Sequence, residues 1–570
     1  MKPRLGQRLA AASRRDGARG LGRMAKMSSK KTTKKNACRD WIRFSKRCSG
    51  VRIRLYWVDS IAKKRCGLAS ECRKKPILLP HEFLGWLFRM DQARFHRILG
   101  TPQQWADYWW EVIANDPEWF REHPFYHRIR GNPYQWVPCK IFGDDGKIGK
   151  RKAMLALHFY STVGDERRTA ERKLPIFVRN NIDAIPGCTD RPLWLANSWS
   201  WQSLGDGVYP AARHDLKPFE VKWRHKMAGK RIIGDYYAAM IATTGDWMWA
   251  AEVANLRQSY KRTRIGDPIC HICGATCGGA HTFTNFADGA PHWAVVRSNA
   301  VYMASPSAAA SPISTTPGFH IQSLMPELMH GGPLGYNLVL AGSVLKELSD
   351  EGRFCEPLSD GTWQQKLQAQ LASAASRFSA WQKRTKKYCS QEKFTVRRLD
   401  LTNSVHTPTL KAKAYNSMVV VEWLEEEARL VSEAHPRHSY YRDRAACVWG
   451  LAEFYRVCRR SRQWMSEAEL ADLKTARDAT LRMFRKLAGM ASEDGSPLYP
   501  CRPKLHVFDH CHFLAQQSGE NPASCWTFQD EDNMRILIDI AESCHGLSLE
   551  QYTLEKWCMQ FFAGDVTDSE

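Results

Sequence analysis

Long apolar runs are missing from this sequence. None of its 570 residues begins a stretch of the ~18 to 20 apolar positions that a membrane-spanning helix requires, so no membrane partner is expected. The first residues also lack the short apolar block of a secretory signal. The chain holds no Gly-rich phosphate loop, no G-x-S-x-G elbow and no H-E-x-x-H helix, which sets a metabolic enzyme built on those motifs well behind other readings. No internal repeat at a solenoid period is present. Acid is scarce at one end: residues 1 to 75 contain only Asp16, Asp40, Asp59 and Glu71 against 24 Lys and Arg.

That last scarcity locates the charge. The chain has 83 Lys and Arg, 59 Asp and Glu, and a formal net charge of +24. Beyond residue 75 the two signs nearly cancel, so the positive field belongs to an N-terminal arm. Such an arm neutralises phosphates by counterion release without reading sequence. The expected partner is DNA, with RNA as the alternative, and self-association is compatible with the composition. Nuclear import is the matching location. An Arg-rich, Ala-rich, acid-poor start also fits an organelle transit peptide, and a plain solvated tail is the third reading.

Hydrophobic residues make up 44% of the chain and 22 are tryptophan, enough to fill real cores. Two to four units are expected at this length. Eighteen cysteines, scattered through a chain with no secretory block, point to a reducing compartment and mostly buried free thiols.

The order of patterns divides the chain. Residues 1–37 read as a disordered basic arm, 38–78 as a small basic module, and 79–133 as helical. Within the last, Trp109 and Trp110 fit either a core or a base-stacking platform. Residues 134–265 hold β-prone runs at 135–141, 153–162, 174–178 and 236–244, with a helix near 194–204 between the last two. The Ser/Ala/Pro stretch 304–317 reads as a linker with little core potential. Helical periodicity fills 318–490, most clearly over 418–432, 442–459 and 466–488, the last opening on a Ser466/Glu469 capping box. Residues 491–570 form a C-terminal helical segment.

Two β-prone runs end in Gly-Asp. Carboxylates fixed at strand ends can hold Mg²⁺ or Mn²⁺ against a phosphate, which makes Asp144, Asp145 and Asp246 candidates. Gly-Asp after a strand is also ordinary turn chemistry. The segment 266–303 carries Cys270-His271-Ile272-Cys273, followed by Cys277, His281 and His292. A C-x-x-C pair supplies two thiolates to a tetrahedral Zn²⁺ and needs two further ligands. Cys277 and His281 complete a compact set, with His292 in reserve. Unligated structural cysteines and a redox pair are the other readings. His506, His510 and His512 form a further cluster, read either as core groups or as ligands. The acidic run 529–534 is a loop, a helix start or a cation site.

Six motifs then occur in an informative order: KIFGDDG (140–146), GDW (245–247), CHIC (270–273), GFHIQSLMPELMHGGPLG (318–335), RPKLHVFDH (502–510) and CWTFQDEDNM (525–534). In this order the chain resembles transposase-like proteins related to the CACTA, hAT and Kyakuja-Dileera-Zisupton groups, most closely the large transposase-like families expanded in protist genomes. The resemblance spans about residues 79 to 557. It implies an α/β plus α architecture: an RNase H-like mixed-sheet core, interrupted by a zinc-knuckle loop and a long helical insertion. It also implies a DDE-type acid set cutting and joining DNA strands. Asp144 matches the first acid, with Asp145 as reserve, and Asp246 the second. The family's (Cys/Asp)-x-x-His motif falls on Glu327 and His330, with Glu where Asp or Cys is usual. Asp509 is the expected third acid, with Glu453 as a rival. The alternative is a catalytically inactive, zinc-containing nucleic-acid-binding relative.

Overall fold

The computed structural model describes residues 55–64, 69–149, 152–261, 264–401 and 406–563. The basic arm expected over 1–37, and about half of the basic module expected over 38–78, lie outside them. A hairpin of β1 (Tyr56–Lys63) and β2 (Ser70–Ile77) comes first. It alternates buried and exposed residues along β1, as a half-buried strand should. Helices α1 (Pro80–Met90) and α2 (Pro102–Asn115) follow, α2 opening on a complete Thr101/Gln104 capping box. Trp109 is buried in the core and its Nε1–H donates to Trp136 O, which excludes it from base stacking. Trp110 is 47% exposed.

Four strands build the central sheet: β3 (Trp136–Ile148), β4 (Lys152–Ser161), β5 (Leu174–Asn180) and β6 (Tyr237–Gly245). Their spatial order is β5-β4-β3-β6. The β3/β4 and β4/β5 pairs are antiparallel, while β6 runs parallel to β3. All four β-prone runs of the sequence therefore pair in one mixed sheet. Helix α3 (Arg191–Asp206) occupies the crossover from β5 to β6, and its Trp201 meets Phe159 edge-on at 5.4 Å.

After β6 the chain enters α4 (Trp247–Val253). Further on come the one-turn α5 (Leu328–Gly331), then α6 (Asn337–Asp350), α7 (Trp363–Thr385), α8 (Ala414–Ala434), α9 (Ser439–Arg460), α10 (Glu467–Glu493) and α11 (Lys504–Ser518). Helices α5 to α11 share their own core, in which Leu340, Trp423, Leu451, Phe454, Phe484 and Phe508 are all essentially buried. The chain then returns to the sheet: α12 (Phe528–Glu542) and α13 (Leu549–Ala563) contribute Met534, Leu537, Leu554 and Trp557 to the sheet's core. No described helix is long and apolar enough to cross a membrane.

The stretch 304–317 departs from the linker expected of its composition. It folds into short turns, Pro306–Ala310 and Pro312–Thr315, and Ile313 is fully buried in the sheet's core. Its small residues allow close packing and its hydroxyls are used: Ser311 Oγ donates to Val253 O, and Thr315 and Thr316 meet Ser198. Polar composition misled here because most of these hydroxyls are hydrogen-bonded within the fold.

The two Gly-Asp pairs have a packing cause. Gly143 and Gly245 are register partners across β3 and β6. A Cβ on Gly143 would stand 2.1 Å from the Trp249 ring, and one on Gly245 would stand 2.3 Å from that ring and 2.5 Å from Gly143 O. Only glycine lets the α4 indole lie against both strands where β6 ends before Asp246 and β3 carries Asp144. Gly245→Ala is expected to lower stability by about 1–3 kcal/mol through overpacking, measured by denaturant unfolding. An unchanged midpoint would show that Trp249 yields freely.

Candidate functional site

Consecutive residues of a strand point to opposite faces, and this separates Asp144 from Asp145. Asp145 is exposed and accepts from Asn181 Nδ2 at 2.8 Å, with Arg179 at 3.8 Å. Asp144 is half-buried on the face that carries Phe142 and Lys140. Asp246 is the N-cap of α4 and accepts from Trp249 N at 2.6 Å. Because β3 and β6 are neighbours in register, Asp144 and Asp246 emerge side by side, and the charge of Asp246 is felt at Asp144.

The third carboxylate of this group is Glu531, in the first turn of α12, where Asp509 was expected. Burial, then the charges of Glu531 and Asp246, push the Asp144 carboxyl up to about 8. Glu531 is itself raised by burial, opposed by its contacts with Asp144 and the His330 imidazole. Its Oε1 is buried without a hydrogen-bond partner. Asp246 and Glu531 thus both lie close enough to Asp144 for their charge to raise its carboxyl, and a cluster of acids of this kind can be relieved by a cation.

Helix α12 is held in place by a buried polar anchor beside Glu531. Asp530 Oδ1 lies 2.7 Å from both His158 Nε2 and Lys173 Nζ, and all three side chains are buried. Removing one partner of such a set is costly. Lys173→Met is expected to destabilise by about 3–5 kcal/mol in chemical denaturation, and a loss under 1 kcal/mol would contradict the anchor.

Glu327 and His330 act as a unit. Glu327 caps α5, accepting from Met329 N at 2.5 Å, His330 N at 2.6 Å, His330 Nδ1 at 2.7 Å and Thr527 Oγ1 at 2.7 Å. With four donors on two oxygens, Glu327 has no lone pair to spare for a metal. It orients His330, whose Nε2 is 3.9 Å from Glu531 Oε1. Burial disfavours the His330 cation, but Glu327, Glu531 and Asp144 outweigh it and raise its pKa to about 9. Lys504 adds a second positive charge near Asp246 and Glu327.

Both shifts act on stability in one direction. The folded protein holds the Asp144 proton over the window from the ordinary 3.8 to about 8, and the His330 proton from 6.5 to about 9. Over those windows unfolding releases protons, so stability falls as pH rises. Without divalent metal, the melting temperature is expected to drop between pH 5 and 9, and Asp144→Asn should flatten the lower part of that drop. A melting temperature rising with pH over this range would contradict the assignment.

A separate group of soft ligands is shared between the loop after α4 and α11. Cys270, Cys273, His506 and His510 are all buried and offer ligand atoms within 4.8 Å of one another. His506 and His510 stand one turn apart on α11, so both rings face the same way. Cys273 Sγ is 3.3 Å from His506 Nε2, and both ring nitrogens of His510 are buried without a partner. Burial alone would raise the Cys270 thiol, yet Cys273, His510 and His506 around it bring it well below the ordinary range. Cys273 is raised by its hydrogen bond to Cys270 and by burial. Orphaned imidazole nitrogens beside two buried thiols are what a bound metal ion would satisfy.

The ligand set differs from the compact one expected. Cys277 and His281 stand outside this group, and the two remaining positions come from α11, more than two hundred residues away. His292 forms a second group with His506 and Asp509. Asp509 is fully buried, with its Oδ1 2.6 Å from Arg477 Nε and Nη2. It backs the histidines and does not face Asp144. Glu453, the rival third acid, is paired with Arg456 and Arg460 on α9. His512 is buried, which lowers its pKa to about 3.

No protein-family model matches the chain, and no curated protein is significantly similar to it.

Proposed function

We propose that the chain is a transposase-like enzyme that cuts and joins DNA strands by metal-assisted phosphoryl transfer, its four-stranded sheet serving as an RNase H-like core. The observation that carries this reading is the convergence of Asp144, Asp246 and Glu531 from β3, the end of the parallel strand β6, and α12. The three carboxylates would hold Mg²⁺ or Mn²⁺, which prefer oxygen ligands. Such ions supply activation of the attacking oxygen and charge relief at the leaving one. The protein's own part is positional. Strand β3 fixes one acid from within, the end of β6 fixes a second, the Asp530 anchor fixes the third, and Glu327 holds His330 beside them. The basic arm would supply sequence-independent attraction to the DNA backbone and nuclear import.

The Cys270, Cys273, His506 and His510 set fits a structural zinc ion: two thiolates and two imidazoles, closed to further ligands. It would tie the loop after α4 to α11, joining the sheet unit to the helical unit.

The test is cleavage of end-labelled duplex DNA by the full chain with Mg²⁺ or Mn²⁺, at about 0.2 M salt so that charge attraction from the arm is weakened. Metal-dependent nicking supports the reading. Binding without cleavage in either metal supports the inactive relative, which the Glu327 departure favours.

A further inference from the structure

A cavity of about 400 Å³ opens on the sheet face that carries Asp144, within the size range of small-ligand sites. Lys140 lies four residues before Asp144 on the same face of β3, roughly 13 Å away at ~3.3 Å per residue. Around the cavity stand four cations, Lys140, Arg172, Lys173 and Arg462. Among the described residues, two carboxylates answer them. Glu520 Oε1 is 3.4 Å from Lys140 Nζ, and Asp530 Oδ1 is 2.7 Å from Lys173 Nζ. Both lysines are nonetheless buried, at 3% exposure or less. Each buried lysine is met by one carboxylate, so the charge left over is that of Arg172, half-buried, and Arg462, exposed, which have no carboxylate partner among the described residues.

Three further polar atoms of the cavity walls point to a missing ligand. Arg172 Nε, Thr162 Oγ1 and Trp526 Nε1 are buried without hydrogen-bond partners. A native structure rarely leaves several such donors unpaired in one place. The half-buried Trp526 indole packs on the edge of the helical core, meeting Phe528 edge-on at 5.8 Å and Tyr455 tilted at 6.3 Å, and neither ring stacks flat on it. An indole beside a cluster of guanidinium and ammonium groups is the composition that holds a base and its phosphate together.

We infer that this cavity binds one phosphorylated nucleoside, with Arg172, Arg462 and Lys140 on the phosphate and Trp526 on the base. The unit is either a free nucleotide or one residue of a nucleic-acid strand. Neither source requires the carboxylates to be catalytic, so this inference stands apart from the proposed cleavage.

The test uses the full chain with divalent metal omitted and about 0.2 M salt. One probe is radiolabelled ATP and the other a ten-nucleotide single-stranded DNA. The variants are R172Q/R462Q, which leaves both buried lysines in place, and W526L. A fall of at least about tenfold in affinity for either probe in both variants is expected, with unchanged melting temperature confirming that they fold. Loss for the oligonucleotide alone names a strand as the source, and loss for ATP names a free nucleotide. Binding of both probes at wild-type strength in both variants overturns the inference, as does the absence of binding of either probe to the wild type.

Discussion

Glu531→Gln should abolish metal-dependent DNA cleavage, by about 10³-fold or more, while leaving DNA binding intact. A single neutralised acid has so large an effect because catalysis here is charge compensation at fixed positions. The amide keeps the shape of Glu531 and removes its charge, and α12 stays anchored through Asp530, His158 and Lys173. Asp246→Asn should match it, since the amide oxygen can still cap α4 by accepting from Trp249 N. The informative control is Asp145→Asn. Asp145 faces Asn181 and Arg179 on the opposite side of the sheet, so its variant should cleave at the wild-type rate. Equal loss in Asp145→Asn would place the chemistry on the wrong face. Full activity in Glu531→Gln would remove the third acid from the account. Initial rates of nicking on one labelled duplex, in Mg²⁺ and in Mn²⁺, read all three variants.

The second large effect concerns the Cys/His set. Purified protein should carry about one zinc ion per chain by elemental analysis, and Cys273→Ser or His510→Ala should carry none. Because the four ligands join a loop after α4 to α11, losing the ion should loosen the sheet unit from the helical one. An ion present a thousandfold above its Kd contributes about 4 kcal/mol, enough to move the unfolding midpoint visibly. Cys277→Ser and His281→Ala are expected to keep the metal. If those two lose it while His510→Ala keeps it, the compact ligand set is the true one.

These two sites show where sequence reasoning reaches and where it stops. The four strands were legible as β-prone runs, and Asp246 with them at the end of β6, but the Gly-Asp-Asp-Gly run read as a stop lies inside β3, which continues to Ile148. Cys270 and Cys273 were legible because C-x-x-C is local. Their partners were not, because a ligand set split between residues 273 and 506 is closed only by folding. The signal that could have found them is the i, i+4 pair His506 and His510, a half-site lacking its thiolates as the C-x-x-C lacks its imidazoles. Glu531 was hidden differently. In the run Gln529 to Asn533 every position is polar, and nothing local says that Asp530 turns inward to Lys173 while Glu531 turns toward Asp144. Asp509 drew attention because histidines flank it, and those histidines belong to the other site.

The central claim is that one chain brings a hard-cation site and a soft-cation site together from distant segments. Crystals of the full chain grown with Zn²⁺ and Mn²⁺, measured at the absorption edge of each metal, test it most directly. The account predicts manganese among Asp144, Asp246 and Glu531, and zinc among Cys270, Cys273, His506 and His510. Manganese elsewhere, with those three carboxylates unliganded at saturating metal, would contradict it.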